Sequence, residues 1–116
     1  MSEKLVIITG GAGFIGCNAA NHYLGKGWRG EVWDNLSRRG GESNLDWLRS
    51  QGDFDFQKID VRNAAAVSER MAAVSPDLII HCAGQVAVTT SVTDPRLDME
   101  VNLIGTFNLL EAVRAQ

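Results

Sequence analysis

Hydrophobic residues fall along this chain in two kinds of block, and the two kinds alternate. Leu5-Val6-Ile7-Ile8 is a continuous, β-branched-rich apolar run, the mark of a strand covered on both faces. Glycines follow at positions 10, 13 and 16, and a helix is predicted from Phe14 to Lys26. Glu31-Val32-Trp33-Asp34-Asn35 reads as a second strand ending in an acid. Asn35 to Gly41 is polar and glycine-rich, the composition of a loop. A short helix is expected over Asn44–Arg49, with Ser43 or Asn44 as its N-cap, which puts Leu45 and Leu48 on one face. Phe54 to Ile59 alternates apolar and polar positions, as a strand near a sheet edge does, and Asp60-Val61 closes it. Asn63 is placed to cap a helix over Ala64–Val74, stopped by Ser75-Pro76-Asp77. Leu78 to Cys82 is another buried run. A loop is expected over Gln85–Pro95, carrying Thr89, Thr90, Ser91 and Thr93. The last helix runs from Arg96 onward, with Met99, Leu103, Phe107, Leu110 and Val113 at helical spacing.

The order is therefore β-α-β-α-β-α-β-α, without internal repeat or low-complexity segment. Such alternation predicts an α/β fold, a parallel sheet with helices on both faces. Right-handed crossovers give the spatial strand order 3-2-1-4. Strands 1 and 4 then flank a topological switch point, and ligands bind outside the carboxyl ends of strands there. The glycines, Asp34, Asp60, Ala83 and Gln85 all fall at those ends, and their joint placement points to a cofactor site.

Composition narrows the partners. The chain has 116 residues, 45% hydrophobic and 22% charged, with a net charge of −3. That is enough for one small domain, and the acidic balance argues against binding nucleic acid, which calls for a basic patch. No apolar run approaches membrane-spanning length and nothing resembles a signal peptide, so no membrane partner and a cytoplasmic location are expected. Cys17 and Cys82 lack a C-x-x-C partner, so the expectation is reduced thiols with no metal site.

The candidate chemistry sits in the glycine turn. A glycine at the strand end permits a tight turn, a second lets phosphate oxygens reach the backbone, and a third lets the helix pack close to the sheet. The helix N-terminus adds unpaired N–H groups and the positive end of its dipole. Taken alone, the glycines read equally well as a plain strand-to-helix connection. Asp34 follows about 20 residues later, where a dinucleotide domain keeps the acid for the adenosine ribose hydroxyls. An acid there favours NAD over NADP, although Arg38 and Arg39 stand close by, and a turn-forming aspartate is the plainer alternative.

Five motifs taken together resemble a known family. Thr9-Gly10-Gly11-Ala12-Gly13-Phe14-Ile15-Gly16, Asp34-Asn35-Leu36-Ser37-Arg38, Asp60-Val61, His81-Cys82-Ala83-Gly84 and Asn102-Leu103-Ile104-Gly105-Thr106 look like the extended short-chain dehydrogenase/reductase family of nucleotide-sugar epimerases and dehydratases. The likeness spans essentially the whole chain and implies a Rossmann-like, doubly wound parallel sheet, here as a partial domain of about four strands. Within that family, Asp34–Arg38 and Gly84–Ser91 are similar to the CDP-tyvelose (CDP-paratose) 2-epimerases of lipopolysaccharide sugar synthesis. The resemblance implies that Gly10, Gly13 and Gly16, with the N–H groups of Phe14 and Ile15, line the NAD pyrophosphate. It implies that Asp34 holds the adenosine ribose, that Asn35, Ser37 and Arg38 surround the adenosine half, and that Asp60 and Val61 meet the adenine. Ala83 and Gln85 would run along the nicotinamide-side ribose, Asn102 would stand near the cofactor, and Thr89 and Thr90 would face the sugar. The substrate implied is a nucleotide-sugar, with a CDP-sugar favoured. UDP-galactose 4-epimerases commonly carry a lysine where Val86 stands, which counts against that activity.

The chemistry implied is transient oxidation of a sugar carbon by bound NAD, followed by return of the hydride to the opposite face. A tyrosine with a lysine four residues on would act as general base. The only tyrosine is Tyr23, and the residue four further on is Gly27, so Tyr23 is expected to pack and no catalytic residue is assigned. Residues 1–116 are read as the N-terminal NAD-binding segment, with the Tyr-x-x-x-Lys part and the substrate domain absent and strand 4 left bare on one side. A nucleotide-sugar 4-epimerase or 4,6-dehydratase fragment and a stand-alone, non-catalytic dinucleotide-binding module remain alternatives. The family dimerises through helices. The last helix is a candidate half of a homodimer interface, and its apolar stripe is equally explained by packing on the sheet.

Overall fold

A computed structural model describes residues 3–116. Its contacts divide the chain into two compact units, one holding the residues up to Lys58 together with Pro76–Cys82, the other Ile59–Ser75 and Ala83–Gln116.

The first unit carries the whole sheet. Strands β1 (Leu5–Thr9), β2 (Arg29–Trp33), β3 (Asp55–Gln57) and β4 (Leu78–His81) are all parallel and lie in the order β3-β2-β1-β4. This is the predicted 3-2-1-4 order and a Rossmann-like sheet. Thr9 is in register with Trp33 on one side and with His81 on the other. Asp77 fastens the opposite end, since its carboxylate accepts from the Leu5 N–H at 2.8 Å and its own N–H donates to the Leu5 carbonyl at 2.9 Å. Successive strand residues alternate faces. Val6, Ile8 and Val32 form a core with Ala20 of α1 (Phe14–Gly25) and Leu45 and Leu48 of α2 (Gly41–Gln51). Tyr23 packs against that core, as expected, and stacks edge-on with Trp28.

Leu5, Ile7, Thr9, Glu31 and Trp33 occupy the alternate positions and are also buried. The polar groups among them are bonded, with the Trp33 indole N–H donating to Glu31 Oε2 at 2.7 Å. Thr9 Oγ1 lies 2.6 Å from His81 Nδ1 and accepts the Cys82 N–H at 3.1 Å. Desolvation holds the His81 pKa below its ordinary value of 6.5. A base with a lowered folded pKa binds fewer protons folded than unfolded, so its stabilisation is fully present above about pH 6.5 and is lost as pH falls from there through the folded pKa. Urea midpoints at pH 7.5 and 5.5 should therefore differ more for the natural chain than for His81→Gln. Equal pH slopes for the two chains would refute the assignment.

The second unit is helical. Helix α3 (Ala64–Val74) begins as predicted, with the Asn63 side chain accepting from the Ala66 N–H at 3.1 Å. It packs along α6 (Gly105–Arg114), and Val67, Met71, Leu109 and Ala112 are buried. Buried Asn108 donates to the Val61 carbonyl at 2.8 Å. The predicted loop over Gln85–Pro95 instead contains a short helix, α4 (Val88–Thr93). The last helix starts with α5 (Pro95–Met99) and passes through a π-helical turn, Glu100–Ile104, before α6. Its apolar stripe is not packed: Leu103, Phe107 and Leu110 are 62%, 57% and 64% exposed.

Candidate functional site

In the first unit the turn after β1 is shaped by its glycines. Gly10 takes a left-handed φ of 67°, and its N–H donates to the Trp33 carbonyl at 2.8 Å. A Cβ at Gly16 would run into the Gly10 carbonyl and stand 2.8 Å from Gly11 Cα. Only glycine therefore lets α1 start this close to the turn. Gly13 is the N-cap of α1 and no side chain caps the helix. The first-turn N–H groups of Phe14, Ile15 and Gly16 thus have no intrahelical acceptor. The exposed positions of Phe14 and Ile15 leave that end open to an anion.

Asp34 sits one residue past β2. Its Oδ2 accepts the Ala12 N–H at 3.0 Å, and its Oδ1 accepts the Leu36 N–H at 2.8 Å. The carboxylate is held in one orientation by two main-chain donors, and each oxygen keeps a second lone-pair direction for an incoming hydroxyl. Asn35 forms its own turn, with Oδ1 accepting the Ser37 N–H at 3.0 Å. Ser37 and Arg38 are exposed on this loop.

Asn44 is a site residue that the sequence hid. Expected as a cap of α2, it lies inside that helix, which begins at Gly41 after a left-handed Gly40 (φ 90°). Its Nδ2 donates to the Ala12 carbonyl at 2.7 Å. The Ala12 residue is therefore gripped on both sides, by Asp34 through its N–H and by Asn44 through its C=O.

The remaining candidates lie in the second unit. Asp60 makes a bidentate ion pair with Arg62, at 2.6 Å for the closest pair of atoms, and accepts the Arg62 N–H at 3.0 Å. The same carboxylate raises the Arg62 pKa. Val61 is buried and Ala83 half-buried. Gln85 and Asn102 are brought together. Asn102 Oδ1 accepts the Gln85 N–H at 2.7 Å, and Asn102 Nδ2 donates to the Gln85 carbonyl at 2.9 Å. The Gln85 side chain turns onto its own segment, with Oε1 accepting the Ala87 N–H at 2.8 Å and Nε2 donating to the Ala87 carbonyl at 2.9 Å. Thr89 and Thr90 fall on α4, Thr89 exposed and Thr90 half-buried. The two cysteines are free thiols, and burial raises both pKa values, which makes them poor nucleophiles.

A turn of this shape, followed by a fixed acid, is the geometry of a dinucleotide fingerprint. Residues 7–116 match the family described as GDP-mannose 4,6 dehydratase. The chain belongs to that family. It is similar to CDP-paratose 2-epimerase of Salmonella typhi, with 50% identity over 109 residues that cover 94% of this chain and 32% of the relative. It is also similar to UDP-glucose 4-epimerase of Mycolicibacterium smegmatis, 37% identical over 108 residues, 93% of this chain and 34% of the relative. Among solved structures it superposes on the Thermus thermophilus UDP-glucose 4-epimerase complex with NAD. That match has a TM-score of 0.83 and 39% identity, and it covers 96% of this chain and 34% of the other. This GDP-mannose 4,6 dehydratase family member thus spans about a third of the length of the relatives it matches.

Proposed function

We propose that this chain is the N-terminal NAD-binding segment of a nucleotide-sugar epimerase of the CDP-paratose 2-epimerase kind. The observation that carries the reading is the pairing of an uncapped helix start, shaped by Gly10, Gly13 and Gly16, with an Asp34 carboxylate already oriented by two N–H groups. The N–H groups of Phe14 and Ile15 hold the pyrophosphate. Asp34 accepts the adenosine ribose hydroxyls and repels a 2′-phosphate. Asn35, Ser37 and Arg38 border the adenosine, and Asp60 and Val61 the adenine. Ala83 borders the nicotinamide-side ribose, while Gln85 and Asn102 act there through the main chain they hold. When bound, NAD supplies the means to oxidise a sugar carbon transiently and to restore it. Proton transfer is assigned to no residue of this chain, whose one tyrosine packs on the core.

The finer assignments rest on the family resemblance of the motifs, and the CDP-sugar among them also on the name of the Salmonella typhi relative. They are a CDP-sugar as substrate facing Thr89 and Thr90, a cytoplasmic place in lipopolysaccharide sugar synthesis, and a homodimer using the exposed stripe of α6. Among the described residues no helix is long and apolar enough to cross a membrane.

Calorimetric titration of the chain with NAD and NADP tests the reading. NAD should bind more tightly than NADP. Asp34→Ala removes a charged hydrogen-bonding partner worth about 1.5–3 kcal/mol and should weaken NAD about 10- to 100-fold. A folded chain that binds neither dinucleotide would reject the assignment.

A further inference from the structure

In the second unit a single oxygen gathers three donors from three different places in the sequence. Asp98 Oδ1 accepts from Ser91 Oγ at 2.9 Å, from Asn102 Nδ2 at 3.1 Å and from Gln85 Nε2 at 3.2 Å. Ser91 lies on α4, Asp98 on α5 and Asn102 in the π-helical turn, while Gln85 precedes α4. Ser91 Oγ also accepts from Gln85 Nε2 at 3.2 Å, so the donors are linked to one another as well as to the carboxylate. An ionised carboxylate oxygen suits this load, because charge-assisted hydrogen bonds are the stronger kind and a carboxylate has acceptor capacity only. The two side chains that hold the Gln85 backbone and reach Ala87 are thus themselves held by Asp98.

The consequence concerns the path of the main chain. Gly84 stands close beneath this cluster, where a Cβ would lie 3.1 Å from Asn102 Oδ1. Gln85 is gripped at both its N–H and its C=O, and Ala87 at its N–H and its C=O. Those four grips are made by Gln85 or Asn102, whose side chains both end on Asp98, while the Ala87 carbonyl also accepts from the Ser91 N–H at 3.0 Å and the Ser91 Oγ at 3.2 Å. We propose that Asp98 is a positioning residue whose carboxylate fixes the course of Gly84–Ser91 for the nicotinamide half of the dinucleotide. This rests on the reading of the chain as an NAD-binding segment. Asp98 itself touches no ligand. It acts through Gln85 and Asn102, and it also sets the orientation of α4, on which Thr89 and Thr90 lie.

The test compares NAD with ADP, which shares the adenosine and pyrophosphate but lacks the nicotinamide riboside. For Asp98→Ala, NAD affinity should fall about tenfold while ADP affinity stays within about twofold. Hydrogen exchange of the amides over residues 84–91 should accelerate while β1 and α1 keep their protection, as expected of a local rather than global opening. Asp98→Asn retains an acceptor oxygen and should recover part of the NAD affinity. Ser91→Ala removes one of the three donors and gives a milder form of the same pattern if Asp98→Ala does not fold. Equal losses for NAD and ADP, or unchanged exchange over 84–91, would overturn the proposal. If the natural chain bound neither nucleotide, the dinucleotide reading would fail, and the exchange experiment alone would still decide whether Asp98 holds the segment.

Discussion

A Gly16→Val chain should bind no NAD at concentrations that saturate the natural one. The reason is the contact at the turn. A Cβ at this position meets the Gly10 carbonyl and Gly11 Cα, both main-chain atoms with no side chain to swing aside. Either α1 moves away from the turn or the turn opens, and both displace the N–H groups proposed to hold the phosphates. Overpacking of this kind costs about 1–3 kcal/mol, and the lost phosphate contacts add to it. The affinity should therefore drop about a hundredfold or more. Gly13→Ala is the graded control, because its Cβ would stand 3.2 Å from the Gly10 carbonyl, a distance that a shift of a few tenths of an ångström relieves. Titration calorimetry on both variants reads the difference. If Gly16→Val bound as tightly as Gly13→Ala, the turn would not be the phosphate cradle.

The second large effect is on stability. Trp33 is the largest fully buried side chain in the molecule's core, and its indole N–H is bonded to a carboxylate, Glu31, that is itself fully buried. Trp33→Ala should destabilise the fold by about 3–5 kcal/mol. That is a large share of the roughly 5–15 kcal/mol available to a domain. Trp33→Phe keeps most of the apolar surface and removes the indole donor from Glu31, at a cost of about 1–3 kcal/mol. Urea midpoints should fall in the order natural, Trp33→Phe, Trp33→Ala. A phenylalanine variant as stable as the natural chain would mean that the Glu31 bond contributes nothing.

The parallel strands were legible because their apolar residues cluster in unbroken runs, as in Leu5–Ile8, which is fully buried, and Leu78–Ile80. The latter was expected to be buried and is only half-buried, because β4 stands at the edge of the sheet. Helix α3 was legible to the residue because Asn63 and Ser75-Pro76 are local signals that act locally. The start of α2 was not, since Gly40 and Gly41 normally mark a loop, and here a left-handed Gly40 opens the helix. Asn44 carries the composition of a cap and uses its side chain on Ala12, 32 residues away. Sequence spacing holds no trace of such a bond. Helix α4 was hidden by its β-branched residues, Val88, Thr89, Thr90, Val92 and Thr93, whose helix propensity is low. Spacing found the stripe on the last helix and said nothing of what covers it. Nothing in its sequence position singles out Asp98, and its partners become visible only when α4 is seen to fold back beside it.

The π-helical turn at Glu100–Ile104 gives the last helix room for one residue more than an unbroken α-helix would hold. A π turn accommodates one residue more than an α turn, and each residue of an α-helix advances the face by about 100°. Deleting one residue there would restore an ordinary helix at little local cost. Because the π turn itself closes about one revolution, that deletion would leave Asp98 close to its present phase relative to Asn108 and Leu109, whereas deleting a residue of α6 ahead of Asn108 would swing it about a quarter-turn. The π turn thus lets the end that holds the Gln85 segment and the end that packs on α3 keep their phase while the chain between them gains or loses one residue.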